Sequence, residues 1–457
     1  MSHKKEMALH IAMYPWLALG HFTSFLRIAI NLAQHGHKIS FFMPTKTSLQ
    51  FTSHNLYPDL ITFIPITLPP VDGLPSGCET TNDTPPEAWS CLMTAMDLTK
   101  DDIDLHFARL KPDFVFYDFA HWLPEIARKH KVKTVYYLVS YIVSIAYTCT
   151  PARKTPRGKL LTVEDLMCPP PGFPTPAIVQ HPHEALIVAG ACSLVWGGIT
   201  LQERLTVCIE ECDAIGVKTC RKLEGKYCEF VERSFGKPVL LAGPAIPRLS
   251  SDELESCIDS WLKGFDDKSV VYCALGSEFV LDKEQFQELV LGLELTGRPF
   301  LAALKPPIGF TTIESALPEG LEEKIKGKGI ITSNWVQQKQ ILDHTSVGCF
   351  MTHCGSNSVS EALLSECQLV LMPQVVEQFI HARLLSMDLK VGIEVEKTSN
   401  GIYTRDAIHN AISIVMDTDI GNEVRNNHLK WKEIMQKEGL EDYYVSTFIQ
   451  DLKHLIE

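Results

Sequence analysis

Two residues far apart in the chain have the types and settings for acid–base chemistry. His21 opens a helix-forming run that follows an apolar, strand-like segment, residues 8–14 (ALHIAMY), and a loop, residues 15–20 (PWLALG). Asp118 ends a second such segment, residues 113–117 (DFVFY). A neutral imidazole can take a proton from a hydroxyl, and a carboxylate on its other ring nitrogen fixes the tautomer and stabilises the imidazolium that forms. A base positioned in this way is worth on the order of 10²–10⁴ in rate. Alone, each residue is more often a helix cap or a turn residue, so the pair needs a substrate site in the same chain. Residues 352–358 supply one: Thr352-His353-Cys354-Gly355-Ser356-Asn357-Ser358 lies between an apolar run, residues 347–351, and a helix-forming run, residues 359–366. A strand, a small polar turn and a helix start aim unpaired N–H groups and the positive dipole end at an anion such as phosphate. Gly355 lets the backbone come close, Asn357 and Ser358 add donors, and His353 adds a ring N–H.

The surroundings of that turn suit more than phosphate. Trp335 offers a flat face for a nucleobase such as uracil, and Gln338 offers a donor and an acceptor. Glu361, in the first helical turn, can take both hydroxyls of a ribose, and Glu377-Gln378 can bond sugar hydroxyls. Residues 335–378 resemble the C-terminal signature box of the plant family of UDP-dependent glycosyltransferases that act on small molecules. Trp335, Gln338, His353, Gly355, Asn357, Ser358, Glu361, Glu377 and Gln378 match its pattern. Gln337 replaces a common Pro, and Ser356 stands where many members have Trp, beside the sugar pocket.

The resemblance implies a fold of two facing Rossmann-like, doubly wound α/β domains (GT-B type) with an interdomain cleft. It implies a donor set of Ser277, Trp335, Val336, Gln338, His353, Gly355, Ser356, Asn357, Ser358, Glu361, Glu377 and Gln378. Pro15, Gly20 and His21, with Asp118, resemble the positions of the family's catalytic dyad. Residues 118–122 (DFAHW) resemble the subgroup that adds a sugar to the sugar of a flavonoid or anthocyanidin 3-O-glycoside, at its 2''-hydroxyl. A terpenoid or saponin glycoside, or an aglycone, is the alternative acceptor. Phe119, His121, Trp122 and Tyr141, with the apolar run 185–196, are the candidates for an aromatic acceptor wall; the competing role for them is core packing.

A single base-assisted displacement inverts the anomeric centre, so an α-linked donor yields a β-linkage. No carboxylate cluster suits a divalent ion, and Asp266-Asp267 fits a solvated linker. The expectation is a metal-independent reaction with no resident cofactor, the UDP-sugar being a co-substrate. Two other classes fit less well. A nicotinamide oxidoreductase would need a G-x-G-x-x-G after the first strand, and none is there. A non-catalytic nucleotide-sugar-binding protein would not need His21, Asp118 and His353 together.

Strand-like and helical segments alternate along the whole chain, which predicts parallel sheets. At 457 residues the chain is too long for one typical core. The expected division is an acceptor-binding domain at 1–242, a linker at 243–252, a UDP-sugar-binding domain at 253–438, and a final helix at 439–457 packing back on the first domain. Helices are expected over 88–110 and 122–130, and residues 151–182 form a proline-rich excursion without periodicity.

Net charge, 42 − 55 = −13, argues against nucleic acid as a partner. The 14 cysteines form no C-x-x-C pair; Cys208, Cys212, Cys220 and Cys228 lack zinc-site spacings, and scattered thiols point to a reducing, cytoplasmic setting. Lys4-Lys5 and residues 7–19 mimic a signal peptide, but His10 and Pro15 interrupt the run, and a first buried strand is expected. The uncharged stretch 185–202 is diluted by Gly190, Gly197 and Gly198, which favours a core or pocket-lining helix over a membrane span. Peripheral membrane contact stays open, and a monomer is expected.

Overall fold

Strands buried on both faces must be covered by helices above and below, and the short apolar strands of this chain are covered in that way. The computed structural model describes residues 8–154, 159–244, 253–276 and 279–457. Ser277, residues 245–252 of the expected linker and Lys4-Lys5 lie outside the described residues.

The first sheet contains β1 (His10–Tyr14), β2 (Lys38–Pro44), β3 (Ile61–Ile66), β4 (Phe114–Tyr117) and β5 (Lys133–Leu138). After a small ribbon of β6 (Val195–Trp196) and β7 (Ile199–Thr200), β8 (Ala214–Val217) and β9 (Val239–Leu241) complete it. The order is β3-β2-β1-β4-β5-β8-β9, with every neighbouring pair parallel. The second sheet holds β10 (Val270–Ala274), β11 (Phe300–Ala303), β12 (Gly329–Thr332), β13 (Val347–Thr352), β14 (Gln368–Leu371) and β15 (Gly392–Glu394). Its order, β12-β11-β10-β13-β14-β15, is also parallel throughout. Each sheet reverses its strand order once, between β1 and β4 and between β10 and β13. A crevice opens at the carboxyl ends of the strands at such a reversal. His21 and Asp118 flank the first reversal, and His353 follows β13 at the second.

Three segments differ from expectation. The helix over 88–110 is two helices, Trp89–Asp97 and Lys100–Leu110. Between them, the Thr99 hydroxyl bonds the Met96 carbonyl at 2.7 Å and meets the buried Tyr14 hydroxyl at 2.6 Å, a local alternative to helical pairing. The excursion 151–182 contains a helix, Val163–Met167, started by a capping box between Thr162 and Asp165. The stretch 185–202 is not one helix. The helix Pro182–Ser193 ends, and β6 and β7 form a hairpin around Gly197 and Gly198, both with positive φ (61° and 85°), which a two-residue hairpin loop demands. Among the described residues, no helix is long and apolar enough to cross a membrane.

The last helix, Leu440–His454, buries Val445, Phe448, Ile449 and Leu452. The Phe448 ring lies 5.9 Å from Phe116 of β4, so the end of the chain covers the first sheet. Gly243, just past β9, has φ +87°, and a Cβ there would come 2.9 Å from the Cβ of Tyr444. The Tyr444 hydroxyl accepts the Arg221 N–H at 3.0 Å. All 14 cysteines are free thiols.

Candidate active site

β1 and β4 are neighbours in register, Tyr14 beside Tyr117, so the loops that follow them emerge side by side. His21 is the third residue of the helix Leu19–Gln34, not a loop residue ahead of it, and its N–H bonds the Ala18 carbonyl at 3.0 Å. Its Nδ1 lies 2.6 Å from Asp118 Oδ2. Asp118 is buried, and its Oδ1 accepts the N–H groups of Trp16 and Phe119, each at 2.7 Å. Two backbone donors thus hold the carboxylate in place while its second oxygen faces the imidazole. A carboxylate only accepts, so Nδ1 carries the ring proton and Nε2 keeps its lone pair. The His21 side chain is 21% exposed, enough for Nε2 to reach a substrate. Phe119 sets its ring edge-on, 5.7 Å from the imidazole.

The carboxy-terminal half meets this dyad directly. A Cβ on Gly20 would sit 3.9 Å from Asn357 Nδ2, and the Ser24 hydroxyl, one helical turn beyond His21, reaches Asn357 Oδ1 at 3.3 Å. Asn357 belongs to the helix Ser356–Ala362, which begins inside the polar turn, ahead of the expected helix-forming run at 359–366. In that turn the His353 ring is clasped by two glycine backbones. A Cβ on Gly276 would fall 2.6 Å from His353 Nε2, and one on Gly355 2.4 Å, so neither position admits a side chain without moving the ring. Burial pushes the His353 imidazole down to about 4, against the smaller opposing pull of the Ala274 carbonyl, so near neutral pH it is an uncharged ring.

Of the remaining donor candidates, Gln338, Ser358 and Glu361 form one hydrogen-bonded group. Gln338 Nε2 donates to Glu361 Oε2 at 2.7 Å and to the Ser358 hydroxyl at 3.2 Å, and its Oε1 takes the Tyr272 hydroxyl at 3.4 Å. Burial raises the Glu361 carboxyl, opposed by the Gln338 bond and by Arg27. Trp335 is 76% exposed, a flat indole face next to the buried Val336. Ser356 is engaged elsewhere: its hydroxyl donates 2.9 Å to the Val139 carbonyl after β5, tying the two halves together. Glu377 and Gln378 open the helix Glu377–Arg383. Gln378 is buried, with its Oε1 accepting the N–H groups of Gln374 and Val375 at 3.0 and 3.2 Å. Val376, between that turn and the helix, holds φ +26°, a conformation costly for a β-branched residue and typical of functional turns.

The acceptor candidates separate. Phe119 joins an aromatic group beside the dyad, with Trp16 at 5.8 Å, and Trp16 in turn lies 5.9 Å from Trp196 of β6. Trp122 is core: it is buried and its Nε1 bonds Asp97 Oδ1 at 2.9 Å. His121 belongs to the same buried network, its Nδ1 at 2.9 Å from Arg204, which also binds Asp97 and the carbonyls of Phe119 and Trp196. Burial and the neighbouring Arg204 guanidinium push the His121 ring below its usual range. Tyr141 is not on this wall. It is buried at the domain contact, edge-on to His381 at 5.1 Å.

Several residues of the cleft carried no signal in the sequence. Trp16 lies inside a loop marked in the sequence by Pro15 and Gly20. Lys218, just past β8, sends its ammonium to Asn357 Oδ1 at 2.5 Å. Glu184 of the helix Pro182–Ser193 pairs with Arg383 at 3.0 Å, both buried, joining an acceptor-side helix to the helix that begins with Glu377. Arg383 also meets Glu394, and Lys397 approaches Glu184 at 3.9 Å with its ammonium 4.4 Å above the Phe379 ring. Partners so distant in sequence leave no local pattern.

Comparison with known proteins agrees with this fold. The family model described as UDP-glucoronosyl and UDP-glucosyl transferase matches residues 234–436. The cyanidin 3-O-galactoside 2''-O-xylosyltransferase FGGT1 of Actinidia chinensis var. chinensis is 50% identical over 451 residues, 98% of each chain. An anthocyanidin 3-O-glucoside 2''-O-glucosyltransferase of Ipomoea purpurea is 47% identical over the same share of each. Among solved structures, Glycyrrhiza uralensis UGT73P12 complexed with glycyrrhetinic acid 3-O-monoglucuronide has the same fold, with a TM-score of 0.79 at 21% identity, covering 98% of this chain and 96% of that one. Os79 from O. sativa in complex with UDP gives 0.77 at 24% identity, covering 97% and 100%. With two Rossmann-like sheets facing one cleft and near full-length relatives at this identity, the chain belongs to the plant UDP-glycosyltransferase family, enzymes of the GT-B fold.

Proposed function

We propose that this enzyme moves a sugar from a UDP-sugar to the 2''-hydroxyl of the sugar on a flavonoid or anthocyanidin 3-O-glycoside, with inversion and without a metal ion. The observation that carries the mechanism is the 2.6 Å contact of His21 with Asp118, set one helical turn from the Asn357 contact with the donor turn. His21 Nε2 takes the acceptor hydroxyl proton as its oxygen attacks the anomeric carbon. The bond from that carbon to the β-phosphate oxygen breaks, and UDP leaves with the electron pair. Asp118 stabilises the imidazolium through Nδ1–H. The N–H groups of the 355–358 turn and the neutral His353 ring stabilise charge on the departing diphosphate. Trp335 stacks on uracil, Glu361 with Gln338 holds the ribose, and Glu377 and Gln378 bond the sugar.

The named specificities of the Actinidia and Ipomoea relatives support a glycoside acceptor and attack at the 2''-position. Phe119 and Trp196, with the buried Trp16 packed between them, form an aromatic surface beside the base that suits a flavonoid ring.

The test is a matrix of UDP-glucose, UDP-xylose, UDP-galactose and UDP-rhamnose against cyanidin 3-O-glucoside, cyanidin 3-O-galactoside, quercetin 3-O-glucoside and the free aglycones, in buffer with EDTA. Products are separated by liquid chromatography and their linkage is assigned by NMR. A β-1,2 disaccharide from one glycoside is expected. Transfer to aglycones only, or a requirement for added metal, would overturn the assignment.

A further inference from the structure

Lys218 is an ammonium group at the base of the cleft with no carboxylate in hydrogen-bond contact among the described residues. It stands at the carboxyl end of β8 and is buried, with Nζ 2.5 Å from Asn357 Oδ1 and 3.4 Å from the Ser24 hydroxyl. The Ser24 hydroxyl itself reaches the same Asn357 oxygen at 3.3 Å. An ammonium donates and never accepts, so it can face only the carbonyl end of the Asn357 amide. The NH2 end must then point the other way, toward Gly20, the residue next to His21. An isolated amide in the donor turn could offer either end to a ligand; this one is committed to offering a donor.

We propose that Lys218 is a positioning residue for the donor diphosphate. It holds the Asn357 amide with its N–H groups toward the reacting end of the cleft, and it stands as a positive charge behind the turn that receives the pyrophosphate. The inference rests on the assignment of residues 353–358 to the diphosphate. Burial is costly for an unpaired ammonium, and the chain retains it where an anionic ligand would offset that cost. Desolvation, aided by Arg27 on the helix Leu19–Gln34 and opposed by Glu361 on the helix Ser356–Ala362, pushes the Lys218 ammonium down to about 7. A bound anion favours the charged form. Affinity for a diphosphate is therefore highest below pH 7 and falls as the pH rises above it and the free enzyme loses the proton. Between pH 7 and pH 8.5 the loss is on the order of tenfold. Of the imidazoles around this region, His353 and His381 both lie at about 4 and stay uncharged over that interval, and His21, next to Gly20, is present in every variant below. Glu224, pushed up to about 7 by burial, bonds the Val143 N–H and is present in every variant below.

The test is binding of UDP-glucose, whose phosphodiester charges do not change in this range, and of uridine, which has no phosphate, by calorimetry at pH 6.5, 7.5 and 8.5. The full chain, K218M and K218R are compared, with thermal unfolding as the check that each variant folds. K218M is expected to bind UDP-glucose about tenfold or more weakly at pH 6.5, to bind uridine within twofold, and to lose the decline with pH. K218R, which keeps a charge and a donor, is expected to restore affinity within about threefold and to flatten the profile at the high-affinity end. The proposal is overturned if K218M binds UDP-glucose like the parent with the same pH profile. It is equally overturned if K218M weakens uridine and UDP-glucose alike and K218R restores neither, since Lys218 would then only tie the domains. Failure of the parent chain to prefer UDP-glucose over uridine would instead overturn the diphosphate assignment itself. If K218M does not fold, K218R, which stays charged over this interval, is set against the parent alone, and a decline with pH as steep as the parent's sinks the idea.

Discussion

Replacing Asp118 by Asn separates the tautomer from the geometry, because the surroundings dictate how the new amide sits. Oδ1 of Asp118 accepts two backbone N–H groups, from Trp16 and Phe119, at 2.7 Å. An amide NH2 cannot accept them, so Asn must keep its oxygen there, and turning it over would leave two buried donors unpaired at about 1–3 kcal/mol each. The NH2 is therefore presented to His21, 2.6 Å away in the parent enzyme. Facing a donor, His21 Nδ1 must accept, and the ring proton moves to Nε2, where it blocks the lone pair needed for the acceptor hydroxyl. The expected loss in the chemical step is on the order of 10²–10⁴, or about 3–5 kcal/mol, close to that of His21→Ala. UDP affinity is expected to stay within about twofold, since neither residue bonds the donor turn through its side chain. Single-turnover transfer, quenched and followed by chromatography, isolates this step from product release. D118N retaining more than a tenth of the parent rate would refute the tautomer argument. So would a double variant, H21A/D118N, losing the product of the two single losses, because residues that act as a unit do not add.

Other expectations test the frame around this centre. Glu184→Gln leaves Arg383 with Glu394 but takes the negative charge out of the buried pair between the halves, so denaturant unfolding is expected to show a loss near the lower end of the buried-pair range, about 3 kcal/mol; an unchanged midpoint would mean the pair is not closed in solution. Gly355→Ala puts a methyl 2.4 Å from His353 Nε2 and should weaken UDP-glucose about tenfold or more in calorimetry, whereas parental affinity would show that the ring has room to yield. Gln378→Ala frees the N–H groups of Gln374 and Val375 and should raise the KM for UDP-glucose more than the inhibition constant for UDP. Equal changes in the two would remove any part for this turn in holding the sugar.

Much of this architecture is legible from local chemistry. Alternating strands and helices dictate parallel sheets, and the polar turns at 352–358 and after 118 mark the strand ends where ligands bind. The donor turn was legible because its residues are adjacent, and hydrogen-bonding side chains beside glycine have few structural uses. What stayed hidden depends on partners far apart. Thr99 breaks a helix because it meets Tyr14 across the core, and Trp122 is core because Asp97 and Arg204 wait beneath it. Tyr141 looked like a wall residue by type, but its place is fixed by His381, which a linear reading does not set beside it. Lys218 and Glu184 are ordinary surface-type residues until the fold buries them. Gly197 and Gly198 did carry a visible hairpin signal, outweighed by the uncharged run around them.

The main chain leaves the first half beyond Gly243 and returns to it ahead of Leu440, and the points of departure and return are neighbours, since Gly243 lies against Tyr444. A body hung from two adjoining points can swing about the line through them far more easily than it can slide or twist. An opening of the cleft is expected to follow that swing, and it has to part the contacts of Ser356 with Val139 and of Glu184 with Arg383. Removing the closing helix would take away one of the two attachment points and leave the halves free to wander, so the tail of this chain directs the movement of a cleft it never enters.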